Sequence, residues 1–304
     1  MKIADQNTQG AYQNSVQVHE SLAEYTTWRV GGFARQLYKP AGLSDLSLFL
    51  RQLPLEEPIL FLGLGSNSLI RDGGFNGTVI LTQNNLKNIK LIGERLIYVE
   101  AGVSCATMAR FSARHNLSGG EFWAGIPGTL GGALRMNAGC FDGETWNFVQ
   151  EVITINRSGM MKVRQPSEFN ISYRNVAIAQ DEWFVAATCQ FNPGAQKQSL
   201  QLIKKLLAYR SSTQPINEYN CGSVFKNPPG YFAAKLIEDC GLKGLQLGGA
   251  SVSTKHANFI INKADNRKAA DIEGLIALIK GIVYKRTNIE LSTEVHIIGQ
   301  QFSL

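Results

Sequence analysis

The amino-acid sequence predicts an α+β protein in which strands dominate the first two thirds and helices alternate with short strands in the last. Three observations carry that expectation. Short apolar runs, several of them stopped by glycine, recur as far as Phe191. Pro193-Gly194 then breaks the pattern. Beyond it, apolar residues at 200, 202, 203, 206 and 207 follow a helical stripe. With 304 residues the chain has room for about two domains, or one large one with insertions, and the change of texture puts a boundary near residue 195.

In chain order, PILFLGLGSN (58–67) reads as a buried strand that stops at glycines, and GTVILT (77–82) and RLIYVEAG (95–102) as two more. Ser104 is placed to cap a helix over CATMARFSARHN, which ends by residues 117–120. EVITINRSGMMKVR (151–164) is a hairpin that turns near Ser158-Gly159, followed by a strand over EWFVAATCQF (182–191). After the break, AQKQSLQLIKKLLAYRSS forms a helix with Arg210 near its end. YFAAKLIEDCG is a second helix, closed by Gly241, and ADIEGLIALIKGIVYKRTN a third. The short strands NFIIN (258–262) and TEVHIIG (293–299) alternate with them, and no internal repeat or low-complexity tract is present.

Composition narrows the function classes. A hydrophobic content of 44% with 18% charged residues excludes the disordered and membrane classes. No apolar run approaches the ~18 residues of a spanning helix. The opening stretch MKIADQNTQGAYQNS lacks the apolar centre of a signal peptide, so a loosely held segment up to about Val16 and a cytoplasmic protein are expected. Cysteines at 105, 140, 189, 221 and 240 lie 19 to 49 residues apart, and histidines at 19, 115, 256 and 296 are scattered. That spacing argues against a metal site and against a disulfide framework. A net charge of +6 favours an anionic partner. Lys and Arg are dispersed without an aromatic-interleaved stripe, so neither nucleic acid nor a membrane is expected as a partner, and no obligate protein partner is inferred.

Two glycine-rich segments stand out. GLGSNSLIRDGGFNG (63–77) follows a predicted strand but makes a poor dinucleotide fingerprint, because Ser68 holds the third glycine position. It reads instead as a nest of backbone N–H groups for a pyrophosphate, helped by Ser66 and Asn67, or as an ordinary surface loop. AGIPGTLGGALRMNAG (124–139) carries Gly125, Gly128, Gly131, Gly132 and Gly139 around Pro127. Such density weakens any helix it enters, so the expected gain is close approach of backbone to a ligand, one extended dinucleotide shared with the first loop, or else tight chain packing.

The polar candidates are dispersed. ISYRN (171–175) supplies Tyr173 and Arg174, CGSVFKN (221–227) supplies Ser223, Lys226 and Asn227, and STEVHIIG (292–299) supplies Glu294. A guanidinium, a hydroxyl and an acid are the parts of a site that handles a carboxylate. Within YNCGSVFKNPPG (219–230), Cys221 as nucleophile, Ser223 as catalytic hydroxyl and a plain tight turn all remain open, and no histidine is placed by sequence to activate either.

Taken in order, TTWRVGG, GLGSNSLIRDGGFNG, GIPGTLGGALRMNAG, YRN, QP (214–215), CGSVFKNPPG, GGASVSTKHANFIIN and EVHIIG span about Tyr25 to Gly299. The chain thereby resembles the UDP-N-acetylenolpyruvoylglucosamine reductases (MurB) of bacterial peptidoglycan synthesis, an enzyme family of cell wall biogenesis, cell shape and cell division. The resemblance implies a two-subdomain FAD-binding region of the vanillyl-alcohol-oxidase type (1–84 and 85–195) and a C-terminal α/β substrate-binding domain (196–304). It implies FAD and NADPH as cofactors and a nucleotide-sugar substrate. It further implies Ser223 as proton donor, Arg174 and Glu294 on the substrate carboxylate, and Tyr173, Lys226 and Asn227 as substrate contacts. The residues it assigns to FAD are Gly63, Gly65, Ser66, Asn67 and Ser68, then Gly125, Ile126, Pro127, Gly128, Thr129, Gly132, Asn137 and Gly139. Phe141-Asp142 stands where the family more often has Tyr-Gly. Only 49 positions separate Arg174 from Ser223, which implies the shorter, second type without a substrate-capping loop. A different FAD-dependent oxidase of the same fold, a non-catalytic nucleotide-sugar binder and a hydrolase using Cys221 are the rival readings.

Overall fold

The computed structural model describes residues 15–263 and 267–302. The stretch expected to be loose ahead of Val16 lies, but for Ser15, outside them. The chain forms two compact units, each gathered from separated stretches. One comprises residues up to Glu20 with Ala34–Gly63 and Gly77–Lys204; the other comprises Ser21–Phe33, Leu64–Asn76 and the chain from Lys205 onward.

The first unit is built on two sheets. One has the strand order Val16–Ser21, Phe33–Tyr38, Phe75–Leu81, Ile59–Leu62, the last two parallel. The other is antiparallel, in the order Met161–Arg164, Val149–Asn156, Glu182–Gln190, Leu96–Glu100, Ile89–Leu91. Its central strand, EWFVAATCQ, is apolar through its middle because both faces are covered, and six consecutive residues from Phe184 to Cys189 are buried. The predicted 151–164 hairpin forms, and Gly159 at φ +72° makes the turn. Helix α1 (Leu43–Gln52) escaped the sequence reading. It buries Leu46, Phe49 and Leu50 among Tyr38, Ile80, Ile155 and Val185, with the Tyr38 and Phe49 rings stacked at 3.6 Å. Helix α2 (Cys105–Arg114) starts as predicted, the Ser104 hydroxyl accepting from the Thr107 N–H at 3.1 Å. Helix α3 (Leu130–Met136) is a correction: a seven-residue helix forms inside the second glycine segment, where glycine density argued against one. Tertiary contact overrides propensity here, since Leu130 N–H and Gly131 N–H bond the Val103 and Ala101 carbonyls at 2.9 Å.

Helix α4 (Gln196–Thr213) realises the predicted stripe, and its last residues pass into the second unit. There, α5 (Ala233–Asp239) and α6 (Ala269–Thr287) pack with a three-stranded antiparallel sheet of Gln246–Leu247, Ala250–Val252 and Ile260–Asn262. Ile272, Leu275, Ile276, Ile279 and Val283 are the buried stripe of α6, joined in one core by Trp28, Leu69 and Phe225. Ser68–Ile70 and His296–Ile298 pair in parallel, so the short strand inside the first glycine segment belongs to the same unit as residues 296–298. The RDGG of that loop fastens α6. Asp72 accepts from the Ala269 and Ala270 N–H groups at 2.8 and 2.9 Å, and Arg71 pairs with Glu273 at 2.7 Å.

Candidate functional site

Most glycines of the two loops answer to the protein's own packing. In the first unit a Cβ at Gly63 would fall on the Thr129 hydroxyl, and one at Gly139 on the Gly143 carbonyl. At Gly125 it would lie 2.6 Å from the Phe141 ring, and at Gly131 it would lie 3.0 Å from Ala101 Cβ. Gly132 differs: it is exposed, and nothing lies within 4 Å of the Cβ it lacks. In the second unit Gly65 sits at φ +65° with Tyr25 carbonyl oxygen where a side chain would go. The choice between ligand approach and tight packing therefore falls out differently from glycine to glycine.

The donors around these glycines fit an anionic cofactor. The Thr129 hydroxyl is buried and has no partner among the described residues. The N–H groups of Thr129 and Gly132, at the start of α3, meet no acceptor there either. In the first loop the N–H groups of Leu64, Gly65, Ser66 and Asn67 are likewise without a protein acceptor among the described residues. In each unit taken by itself, these donors, with no carboxylate among them, suit phosphate oxygens such as those FAD carries. Pro127 has no N–H to give, Ile126 N–H donates to the Trp123 carbonyl, and Gly128 lends its carbonyl to the Cys105 N–H. Asn137 is committed to the protein. It ends α3 in the left-handed region at φ 40°, its Nδ2 donates to Glu144 at 3.0 Å, and its Oδ1 accepts from Trp146 N–H at 3.2 Å.

Arg174 is brought to this second loop by a tight hairpin. Asn170–Ser172 pairs with Asn175–Ala177, which leaves Tyr173 and Arg174 as the two turn residues, with Arg174 at φ 53°. Its Nη2 donates to the Gly139 carbonyl at 2.7 Å and its Nη1 to that of Asn137 at 3.5 Å, and the guanidinium stands 5.1 Å over the Tyr173 ring. Tyr173 itself is exposed. An arginine in a conformation that costs about 1 kcal/mol or more, held by two carbonyls, is a positioned group. Phe141 and Asp142, also both at positive φ, form the two-residue turn between Gly139–Cys140 and Gly143–Glu144. The Phe141 ring packs against Gly125.

In the second unit Ser223, Glu294 and the first glycine loop are tied together. Cys221 Sγ lies 3.6 Å from the Gly65 carbonyl oxygen and 3.8 Å from that of Ser68. Asn67 Nδ2 donates to the Glu294 carbonyl at 3.1 Å, and His296 N–H to that of Asn67 at 3.0 Å. The Glu294 N–H in turn donates to the Val224 carbonyl at 2.8 Å. Cys221 is 3% exposed and burial pushes its thiol up to about 12, so it is a packing residue and not a nucleophile. Ser223 is half-buried, and its hydroxyl has no partner among the described residues. Lys226 is half-buried, and its ammonium forms no ion pair there. Asn227 Oδ1 accepts from Ala233 N–H at 3.0 Å, which leaves its Nδ2 donors available. Sequence reading gave no role to Asn258 or to Asp72, although KHANFIIN and RDGG were visible as motifs. Among the described residues no three His, Cys, Asp or Glu side chains are grouped to hold a metal ion, and no helix is long and apolar enough to cross a membrane.

Comparison with known proteins places this geometry. Residues 35–163 match the family model for an FAD binding domain, and residues 214–298 match that for the C-terminal domain of UDP-N-acetylenolpyruvoylglucosamine reductase. The chain is 66% identical to the UDP-N-acetylenolpyruvoylglucosamine reductase of Legionella pneumophila over 94% of its own length and 93% of that protein. It is 54% identical to the one from Methylococcus capsulatus, with 93% and 92% covered. The crystal structure of the reductase (MurB) from Thermus caldophilus superposes with a TM-score of 0.79 at 30% identity, over 93% of this chain and 97% of that one. The chain belongs to the UDP-N-acetylenolpyruvoylglucosamine reductase family and is an FAD-dependent oxidoreductase.

Proposed function

We propose that Ser223, Arg174 and Glu294 carry in this chain the reaction of its family, the NADPH-dependent reduction of UDP-N-acetyl-3-O-enolpyruvylglucosamine to UDP-N-acetylmuramate for peptidoglycan synthesis. The chemistry that bound FAD supplies is hydride transfer, from NADPH to the β-carbon of the enolpyruvyl ether. The side chains handle charge and proton. As the β-carbon gains hydride, the electron pair of the double bond moves toward the α-carbon and its carboxylate, and Arg174 and Glu294 bind and polarise that carboxylate. Ser223 gives its proton to the α-carbon, and Lys226 with the local backbone steadies the serine oxygen. Tyr173 and Asn227 contact the substrate, Asn227 through donors aimed at the diphosphate.

The observation that carries this reading is the bonded cluster of the first glycine loop with the segments of Ser223 and Glu294, through Cys221 and Asn67. A half-buried hydroxyl beside an anion-binding loop is poorly explained by packing alone. The same proposal assigns residues 1–84 and 85–195 to the cofactor and 196–304 to the substrate. It takes the chain to be a cytoplasmic enzyme of the second type that needs no nucleic acid, membrane or obligate protein partner.

Ser223→Ala tests it. Flavin content and reduction by NADPH should stay near the parent values, while reoxidation by the enolpyruvyl substrate slows by about 10² to 10⁴ in stopped flow, the scale of a lost general acid. In deuterated water the parent should place solvent deuterium at the α-carbon. Reoxidation at the parent rate would assign the proton to another group.

A further inference from the structure

We propose that Asn258 is a positioning residue that holds the Ser223 segment in its reactive place; this rests on the reading of Ser223 as proton donor. Asn258 is 4% exposed and lies in KHANFIIN, a motif that neither the cofactor nor the substrate assignments use. Its side chain closes a ring on the backbone of a single residue, Phe225. The Phe225 N–H donates to Asn258 Oδ1 at 2.9 Å, and Asn258 Nδ2 donates to the Phe225 carbonyl at 2.8 Å. A third bond runs from Val224 N–H to the Asn258 carbonyl at 2.9 Å. A primary amide is the side chain suited to this pattern, since it offers one donor and one acceptor side by side as a neighbouring strand would.

The opposite edge of the same three residues is taken by the Glu294 segment. Glu294 N–H donates to the Val224 carbonyl at 2.8 Å, Lys226 N–H donates to the Ser292 carbonyl at 2.9 Å, and Phe225 bridges Thr293. Residues 224–226 are therefore a bridge-paired segment with a backbone neighbour on one edge and the Asn258 amide on the other. Ser223 precedes that segment directly and Lys226 ends it, and Val224 and Phe225 are buried, 0% and 1% exposed. Apolar contact alone fixes depth but not rotation about the segment's axis. Bonds to residues 292 and 294 hold one edge, and the paired Asn258 bonds to Phe225 hold the other, so that rotation, and with it the direction of the Ser223 hydroxyl, is fixed from both sides. Proton delivery to carbon is sensitive to such direction, with about a 10²-fold loss for a misplacement near 1 Å.

The test is a cycle of Asn258→Ala, Ser223→Ala and the double variant, each as FAD-loaded protein. Asn258→Ala should be reduced by NADPH within about twofold of the parent yet be reoxidised by the enolpyruvyl substrate about 10- to 100-fold more slowly. In the Ser223→Ala background the same change should slow reoxidation no further, because Asn258 acts through Ser223. A general loosening of the fold would instead slow reoxidation in both backgrounds. If Asn258→Ala yields no flavin-loaded protein, the near-isosteric Asn258→Asp, which sets an acceptor oxygen against the Phe225 carbonyl in place of the amide donor, should give the same selective slowing. Parental reoxidation of the Asn258 variants beside a slow Ser223→Ala, or additive effects in the double variant, overturns the proposal and leaves the proton donor standing. Parental reoxidation of Ser223→Ala overturns both.

Discussion

Gly132 separates the two reasons a chain has for placing a glycine. A side chain at Gly125 or Gly139 in the same segment would strike protein, whereas a Cβ at 132 would meet nothing within 4 Å. Gly132→Ala should therefore stabilise the flavin-free protein by about 0.5–1 kcal/mol, the helix preference of alanine over glycine, and still lower flavin retention. Melting of apoprotein and the flavin-to-protein absorbance ratio read the two effects separately. Full flavin retention would place the cofactor away from the start of α3. His256 gives a pH test at the same scale. Burial first, and then the charge of Lys243, lower its pKa below the usual 6.5, and its Nδ1 accepts from the Asn258 N–H at 3.3 Å. The unfolded chain takes up that proton first. This residue's contribution to stability is thus present above about pH 6.5 and is lost as pH falls from there through the lowered folded value. Denaturant midpoints across that range should decline toward acid, and less so in His256→Gln.

At the scale of elements, two short features hold the first glycine loop. Asp72 gives α6 a cap from a distant part of the chain, with both carboxylate oxygens engaged by N–H groups of the first turn. Asp72→Ala should cost about 1 kcal/mol, as a lost N-cap does, and lower the melting temperature by about 2–4 °C. Asp72→Asn, which keeps one acceptor, should recover part of the loss. An unchanged melting temperature in Asp72→Ala would mean that water caps α6 equally well. The parallel pair Ser68–Ile70 and His296–Ile298 is the second feature. Its first strand starts directly after Asn67, so the geometry of Ser66 and Asn67 is set by a strand more than 200 positions away.

At the scale of the whole molecule, each compact unit carries one glycine loop and part of the polar set. Arg174 hydrogen-bonds carbonyls of the second loop, whereas Glu294 lies on a segment bonded to the first. Glu294→Gln should therefore keep full flavin and normal reduction by NADPH but pass hydride to the enol ether poorly, at about a tenth of the parent rate or less. Arg174→Ala should show the same slow hydride transfer to the enol ether but, unlike Glu294→Gln, should retain less flavin, because the Gly139 carbonyl gives up its guanidinium. Equal flavin content in the two variants would remove that second duty. The sequence by itself determined the elements with strong local signals: the Ser104-capped helix, the 151–164 hairpin, the stripes of α4 and α6 and the buried strand 182–191. It also determined the family, through the order of its motifs. The packing duties of individual glycines, the short helix α3, the cap from Asp72 and the amide ring of Asn258 on Phe225 were decided by tertiary structure. Except for Gly139, which meets nearby Gly143, each depends on a partner well away in sequence, 33 positions for Asn258 and 197 for Asp72. Propensity and periodicity report only what a residue meets within a turn or two, so Ser223 and Arg174 stood out as candidates through their motifs, while what holds them could not be read.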